Sequence, residues 1–504
     1  MVTAALVRLT RPRFSPRATE ALDPAAPVAA TLVARALVAR ALVSRALVAT
    51  ALLAACQSSA PRPDTEAAIH AAVGVAGSLS LRLEGGPLDE PQVPGELATT
   101  LPLGAALVRA LESSPELQAA LARVRGALAD ADQARLLANP LLDVALRFPS
   151  GGGKVVVDAG ASWNLLSLLQ RPQRRDAADE RLRAAVADAV RASLDIAADA
   201  QERYAAVQSL DEWTALLRER RALLDRLLEL ARARLAFGEA SKLDVTTLEA
   251  QAVELELEIS ERDAERREER LALARRLGRP SDPADWTLDA WPELPEIAGA
   301  ESAWIETALE RRPEIQARRW ELAALGDEAA LAGSSVWDGT AVGVSAERDG
   351  DWAVGPVLSA PLPLFDTGSV RRERALAEVV EARHELVQAR RAVVEEVRRA
   401  FASYTSAKAN LERVRAELIP LQRERREQVE AIYLAGQADL TVVLLAEQDL
   451  QAAQVRLVEL ERKAAVLLVR LERAVGGSGV ARALAEHARE LERDHDIEVQ
   501  GGDQ

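Results

Sequence analysis

One cysteine, four histidines and 3% aromatic residues are all that 504 residues contain of the side chains that most often bind metals or fill compact cores. A lone Cys56 cannot close a disulfide within the chain. His70, His384, His487 and His495 are scattered and read as surface residues, not as a metal cluster. Few aromatics argue against a compact aromatic core. The body of the chain lacks the run of about 20 apolar residues that a membrane-spanning helix needs. Positive charge is also short: the net charge is −15, which sets nucleic acid aside as a partner. No phosphate-cradling loop, nucleophile constellation or paired-carboxylate pocket is visible. The chain reads as a non-enzyme with no cofactor and no metal site.

What is present is helical and written twice. Ala, Leu, Arg and Glu dominate, a mix that points to long helices or coiled coil. Ala110-Leu111-Glu112-Ser113-Ser114-Pro115-Glu116-Leu117-Gln118-Ala119 returns 198 residues later as Ala308-Leu309-Glu310-Arg311-Arg312-Pro313-Glu314-Ile315-Gln316-Ala317. Gly238 and Gly436 share that offset, as do Gly278 and Gly476. Two copies of one long unit are therefore expected, 101–278 and 302–477, joined by the proline-rich stretch 279–301.

The first 55 residues differ from the rest: seven arginines stand against Glu20 and Asp23. A short apolar core then leads into Leu53-Ala54-Ala55-Cys56. A positive flank and a core too short to span a bilayer fit a secretory signal. The last four residues resemble a bacterial lipobox, which makes Cys56 the acylated first residue of the mature chain. The alternative is an amphipathic helix with a buried cysteine. Residues 56–100, rich in Pro, Gly and Ser, read as an extended tether, and 478–504 as a charged peripheral tail.

Within each unit the periodicity predicts a helix, a β-hairpin, a long helix, a glycine break and a second helix. The hairpins fall at 141–163 and 340–360. The uninterrupted helices run to about 60–65 residues, or roughly 90–100 Å. The two shorter helices of a unit together equal one long one, so each unit supplies one continuous and one composite antiparallel rod. Pro420 interrupts the long helix of the second copy and is expected to kink it.

A lone hairpin is not stable, so these two need partner strands. Each run is about nine residues, the length of a tilted membrane strand. Val342, Val344 and Ala346 alternate with Ala341, Gly343 and Ser345, giving one apolar and one small or polar face. Trp163, Trp337 and Trp352 stand at strand ends, as membrane-interface aromatics do. A barrel closed by several chains satisfies every strand edge in lipid; a small soluble sheet capping a helical bundle is the alternative.

These segments resemble the outer-membrane efflux protein family, the TolC-like channels. The resemblance covers about 101–477 and rests on several motifs in order. They are the duplicated Pro-Glu segments, Ala138-Asn139-Pro140, Arg234 to Val245, Pro361-Leu362-Pro363-Leu364-Phe365-Asp366-Thr367-Gly368, and Tyr433 to Leu440. The lipobox matches the lipoprotein branch of that family. The resemblance implies a mostly α protein with a membrane β-barrel of four strands per chain. It further implies a homotrimer with a long periplasmic helical tunnel, anchored in outer-membrane lipid, meeting a periplasmic adaptor and an inner-membrane pump. By it the adaptor-docking tips are Gly238, Glu239 and Ser241 in the first copy and Gly436, Gln437 and Asp439 in the second. Independently, glycine permits the backbone reversal between two rods.

One place departs from the family pattern. Where relatives carry a ring of acids after the second tip, this chain has Val442, Val443, Leu444 and Leu445. The gate candidates are therefore Asp244, Val442 and Leu445, with Asp244 open also to the simpler role of capping the helix that follows. The expected function is passive export of small solutes, drugs or metal ions. The duct of a type I protein secretion system is a second reading, and a non-pore periplasmic coiled-coil scaffold a third.

Overall fold

The helix α5, Arg171–Ala236, holds 66 residues in one uninterrupted rod, roughly 100 Å long. Its only proline is Pro172 in the first turn, where the missing N–H costs nothing, and it contains no glycine. The computed structural model describes residues 59–482 apart from 78, 83–98, 149, 151–154, 239–240, 298, 350, 436 and 438.

Before α5 come α1 (Thr65–Val73), β1 (Thr100–Leu101), α2 (Leu103–Ser113), α3 (Pro115–Arg135), β2 (Leu141–Arg147), β3 (Val156–Asn164) and the short α4 (Leu165–Leu169). After it come α6 (Lys242–Arg276), β4 (Thr287–Leu288), α7 (Glu301–Arg311), α8 (Pro313–Ala332), β5 (Ala341–Asp349) and β6 (Asp351–Ser359). The chain then runs through α9 (Ser369–Arg413), a π-helical turn Val414–Leu418, α10 (Ile419–Leu434) and α11 (Leu440–Val475).

The composite rod forms as the periodicity predicts. On the lower half of α5, Leu217, Leu224, Leu228 and Ala231 bury against Val245, Leu248, Ala252 and Leu255 of α6, with the three-and-four spacing of a coiled-coil seam. On the upper half, Ala120, Val124 and Ala131 of α3 pack on Leu182 and Ala189. The two short helices meet end to end, where the Ser113 hydroxyl donates to the Arg276 carbonyl at 3.2 Å. Arg276 also pairs with Asp199 of α5.

The joint between copies is a small parallel pairing of β1 with β4, Thr100 against Thr287 and Leu101 against Leu288. Tyr204, fully buried, places its hydroxyl 2.9 Å from the carbonyl oxygens of both Leu101 and Asp289. In the second copy the Tyr404 hydroxyl donates to the Pro295 carbonyl at 2.6 Å.

Two expectations need correction. The segment read as an extended tether holds α1, which begins at an Asp64 cap and buries Ile69 completely in the core with Leu107, Leu111 and Leu194. The tail read as peripheral is helical over 478–482 and rests on α1, with the Ser478 hydroxyl donating to the Val73 carbonyl and Ala481 buried. Flanking Pro and Gly hid α1, and the short helix of the tail opens a charged stretch that reads as peripheral. At Pro420 the local distortion is a π turn just before the proline, which absorbs the missing N–H and the ring's clash with the preceding turn.

Contact between the tail and α1 depends on Gly477. Its φ is +117°, and a Cβ there would lie 2.0 Å from the Ala72 carbonyl oxygen and 2.6 Å from a Leu194 methyl. Gly477→Ala should therefore cost about 2 kcal/mol, through a disfavoured backbone and a clash, read as a lower thermal midpoint in detergent.

Candidate functional site: a two-faced sheet and two helical tips

The hairpins pair with each other first. The sheet order is β2-β3-β5-β6, all antiparallel, so β3 and β5 join the two repeats within one chain and leave β2 and β6 as its edges. Residues paired across an antiparallel ladder share a face. One face carries Leu142, Val144 and Leu146, then Val157, Ala159, Ala161 and Trp163 on the next strand. It continues with Val342, Val344 and Ala346, and ends with Leu358, Pro356, Val354 and Trp352. The opposite face carries Asp143, Arg147, Asp158, Ser162, Ser345, Glu347 and Ser359. Arg147 and Asp158 pair there at 2.7 Å.

Apolar side chains on the first face lie open: Leu142 is 74% exposed, Val354 69% and Val344 54%. Trp163 and Trp352 stand at opposite ends of that face, and the Arg348 guanidinium lies 5.7 Å from the Trp352 ring centre. Trp337 closes the 3-10 turn that leads into β5 and is 43% exposed. At Gly343 a Cβ would come 2.3 Å from the Ala161 carbonyl oxygen, so only glycine lets β5 approach β3 this closely on the polar side.

The tips lie at the far ends of the rods. In the first, Gly238 takes φ +75° after the exposed Phe237 and turns the chain out of α5. Ser241 and Asp244 form a reciprocal capping box at the start of α6: Asp244 N–H donates to Ser241 Oγ at 3.1 Å, and Ser241 N–H to Asp244 Oδ2 at 2.9 Å. The Asp244 carboxylate thus performs the simpler of its two expected roles. In the second tip, Gln437 N–H donates to the Ile432 carbonyl at 3.0 Å and Asp439 opens α11 without a side-chain cap. Val442 and Leu445 are 44% and 50% exposed, while Val443 is buried and Leu444 packs against the α5–α6 seam. The Arg234 guanidinium lies 5.0 Å from the Tyr433 ring centre, tying one tip to the other. Cys56, Glu239 and Gly436 lie outside the described residues.

Residues 106–279 and 304–477 each match the family described as "Outer membrane efflux protein", two stretches set apart by the offset of the duplication. The chain belongs to the outer membrane efflux protein family. Among curated proteins it is similar to the cobalt-zinc-cadmium resistance protein CzcC of Cupriavidus metallidurans, 25% identical over 376 residues, 73% of this chain and 88% of that protein. Among solved structures it resembles the outer membrane protein VceC of Vibrio cholerae, with a TM-score of 0.61 at 22% identity over 74% of this chain and 96% of that one. The open-state MtrE outer membrane channel of Neisseria gonorrhoeae gives 0.59 at 19% identity over 74% and 89%. Those likenesses establish the fold.

Between sheet and tips this efflux-family chain is clamped by a charge hub that sequence reasoning missed. Arg312 is 4% exposed and reaches Glu396 of α9 at 2.6 Å and Glu314 at 3.1 Å. Arg473 of α11 reaches Asp195 of α5 at 2.5 Å, Glu314 at 3.2 Å and Glu396 at 3.6 Å. Burial alone would lower the Arg312 pKa, but Glu314 and Glu396 outweigh it and hold the guanidinium charged. Burial likewise pushes Glu314 up, and Arg312 more than offsets it, so that carboxyl sits below its ordinary range. The signal was in the duplication: Arg312 stands where the first copy has Ser114, whose hydroxyl caps α3 by accepting from Leu117 N–H.

Beside the hub, burial pushes the Glu472 carboxyl from 4.5 up to about 7, against the pull of Arg482. A raised carboxyl favours its protonated form in the fold. Stability is therefore whole below about pH 4.5, falls as pH rises toward about 7, and stays lower above. Glu472 keeps part of its side chain at the surface, so the expected relief is modest. Glu472→Gln should stabilise the protein by about 2 kcal/mol at pH 8 and leave it unchanged at pH 4. Paired thermal melts at the two pH values check this.

Proposed function

We propose that this chain is the exit duct of a tripartite efflux system. Three copies form one outer-membrane channel that carries small solutes, metal cations foremost, from an inner-membrane pump and its adaptor to the outside. The observation that carries this reading is the two-faced sheet on rods roughly 100 Å long. An exposed apolar face backed by a polar one is the pattern of a barrel with lipid outside and water inside. Edges at β2 and β6 need strands, and further copies provide them without a free edge in lipid.

The remaining parts extend the family resemblance to this chain. Transport is gating and diffusion; the energy comes from the pump. The tips at Gly238, Glu239, Ser241, Gly436, Gln437 and Asp439 dock the adaptor. Val442 and Leu445 make an apolar gate at the second tip, and Asp244 holds the first tip in shape. Metal cations are favoured over drugs by the likeness to a cobalt-zinc-cadmium resistance protein. Acylation at Cys56 anchors the chain in outer-membrane lipid. Ala60 is buried, and its N–H donates to Asp132 Oδ1 at 2.6 Å near the sheet end of α3.

Two measurements test the reading. Protein extracted from outer membrane by detergent should conduct ions in planar bilayers, and deleting the gene should sensitise cells to cobalt, zinc or cadmium. A soluble oligomer without conductance would establish the scaffold reading instead. Loss of a secreted protein with metal resistance intact would establish the secretion duct.

A further inference from the structure

Both long rods begin with arginines. Arg171, Arg174 and Arg175 stand at the start of α5, and Arg371, Arg372 and Arg374 at the start of α9. A cation near a helix N-terminus opposes the helix dipole. Elsewhere the chain follows that preference: α3, α6, α7 and α8 each carry an acid in the first turn, whereas α5 and α9 carry none. Residues 165–175 hold three arginines and no carboxylate, in a chain whose net charge is −15.

The two clusters meet at one end of the sheet. Asn164, Ala341 and Ser359 pair in one row there. Just beyond that row, Gln170 Nε2 donates to Ser334 Oγ at 2.8 Å. On the other flank of the same turn, a Cβ on Gly333 would meet the Arg372 side chain at 3.5 Å, and a Cβ on Gly368 would meet the Gly333 carbonyl oxygen at 3.1 Å. The turn at 333–337 therefore holds the starts of α5 and α9 side by side.

Three of these arginines have carboxylate partners: Arg175 pairs with Asp176, Arg371 with Asp366 and Arg374 with Glu378. Arg174 and Arg372 have no carboxylate partner among the described residues. Arg174 gives one N–H to the Ser167 carbonyl, and its Nε is buried without a hydrogen-bond partner. Arg372 is exposed. The 198-residue offset makes them the same position in the two copies.

Open apolar side chains lie next to them. Leu168 and Leu169 of α4 are 52% and 65% exposed, and Leu364 and Phe365, between β6 and α9, are 74% and 100% exposed. They follow directly on strands that carry the open apolar face, at its Trp163 end. Apolar side chains and then arginines is the order found where a protein surface passes from acyl chains to lipid headgroups.

We infer that this collar binds the phosphates of anionic phospholipids in the periplasmic leaflet of the outer membrane. Arg174 and Arg372 take the phosphates, and Leu168, Leu169, Leu364 and Phe365 lie among the acyl chains. A guanidinium offers phosphate two parallel N–H donors, so the headgroup supplies the anion that these two arginines lack within the described fold. The inference rests on the channel reading and adds to it a lipid class and two lipid-binding residues.

The test uses the full-length protein, extracted in detergent and offered an equimolar mixture of phosphatidylglycerol and phosphatidylethanolamine. Native mass spectrometry should find phosphatidylglycerol retained in preference. Arg174→Gln with Arg372→Gln should cut its retention about twentyfold, fivefold for each arginine, with oligomeric mass, helical circular dichroism and conductance kept. Arg174→Lys with Arg372→Lys should keep most of it, because an ammonium still binds phosphate as a point charge. Should the glutamine pair fail to assemble, Arg372→Gln alone carries the test, with an expected loss of about fivefold. Wild-type protein without the preference would overturn the inference, as would a glutamine variant of native mass that keeps it. Inorganic phosphate that raises the thermal midpoint as much as phosphatidylglycerol does would also overturn it, in favour of a free-anion site. A glutamine pair that shifts the cation-to-anion selectivity of the channel, with lipid retention unchanged, would overturn it in favour of arginines lining the lumen. A wild-type chain that conducts but shows no lipid preference removes this inference alone; one that is soluble and silent in bilayers removes the channel reading itself.

Discussion

Val344→Arg should abolish assembly in the outer membrane, whereas Ser345→Arg, one residue away, should leave assembled and conducting protein. Val344 lies on the apolar face in register with Ala161 and Pro356, and Ser345 on the polar face in register with Gly160 and Gly355. An arginine facing lipid near mid-strand costs about 2–4 kcal/mol, and each barrel built from several copies carries that cost once per copy. On the polar face the same guanidinium meets water. Heat-modifiable oligomer on gels and conductance in bilayers separate the outcomes. Equal behaviour of the two variants would contradict the assignment of faces. The comparison is informative because both substitutions add the same charge to the same strand.

The second large effect is expected at the hub. Arg312→Ala should destabilise the protein by about 2–3 kcal/mol, below the full range for a buried pair because the Glu396 side chain is 43% exposed. The loss arises mainly from what is left behind: among the described residues, Glu314 and Glu396 keep Arg473 as their ion-pair partner, at 3.2 and 3.6 Å. Arg312→Lys restores charge but not the fork that serves two carboxylates at once, so an intermediate loss is expected. Denaturant unfolding in detergent measures both. The double change Arg312→Ala with Glu396→Ala should lose less than the sum of its singles, because the carboxylate stranded by the first change is gone in the second.

Much of this was legible before any coordinates. The duplication announced itself in Pro115-Glu116 and Pro313-Glu314, because each proline begins a helix at the same place in its copy. Gly238 was legible as a tip because a left-handed residue between two coiled helices leaves few alternatives to glycine. The alternation Val342, Val344, Ala346 announced a two-faced strand, since side chains in a strand alternate by geometry alone. Other features rest on distance in sequence. Arg473 and Asp195 are separated by most of the chain, and no local pattern couples them. The helix α1 was masked by flanking Pro and Gly, and its one completely buried large side chain, Ile69, offers too short a period to read. The π turn at Val414–Leu418 is a backbone answer to Pro420, and a straight kink was an equally good reading of the same residue.

By itself the sequence determined the family, the two-unit plan, the long rods, the glycine tips and the two-faced strands. Each of these follows from short-range periodicity, from residues with special backbone freedom or from a motif repeated at a constant offset. Only the tertiary structure decided that β3 pairs with β5 so that both hairpins share one sheet. It alone revealed that α1 is clasped by the residues after α11 through Gly477, and that Arg312 and Arg473 draw four helices into one charge hub. Those are contacts between residues far apart in the chain. Which of the many possible pairs is made is settled by packing and by the cost of leaving a charge or a strand edge unpaired, neither of which is written in any local stretch of sequence.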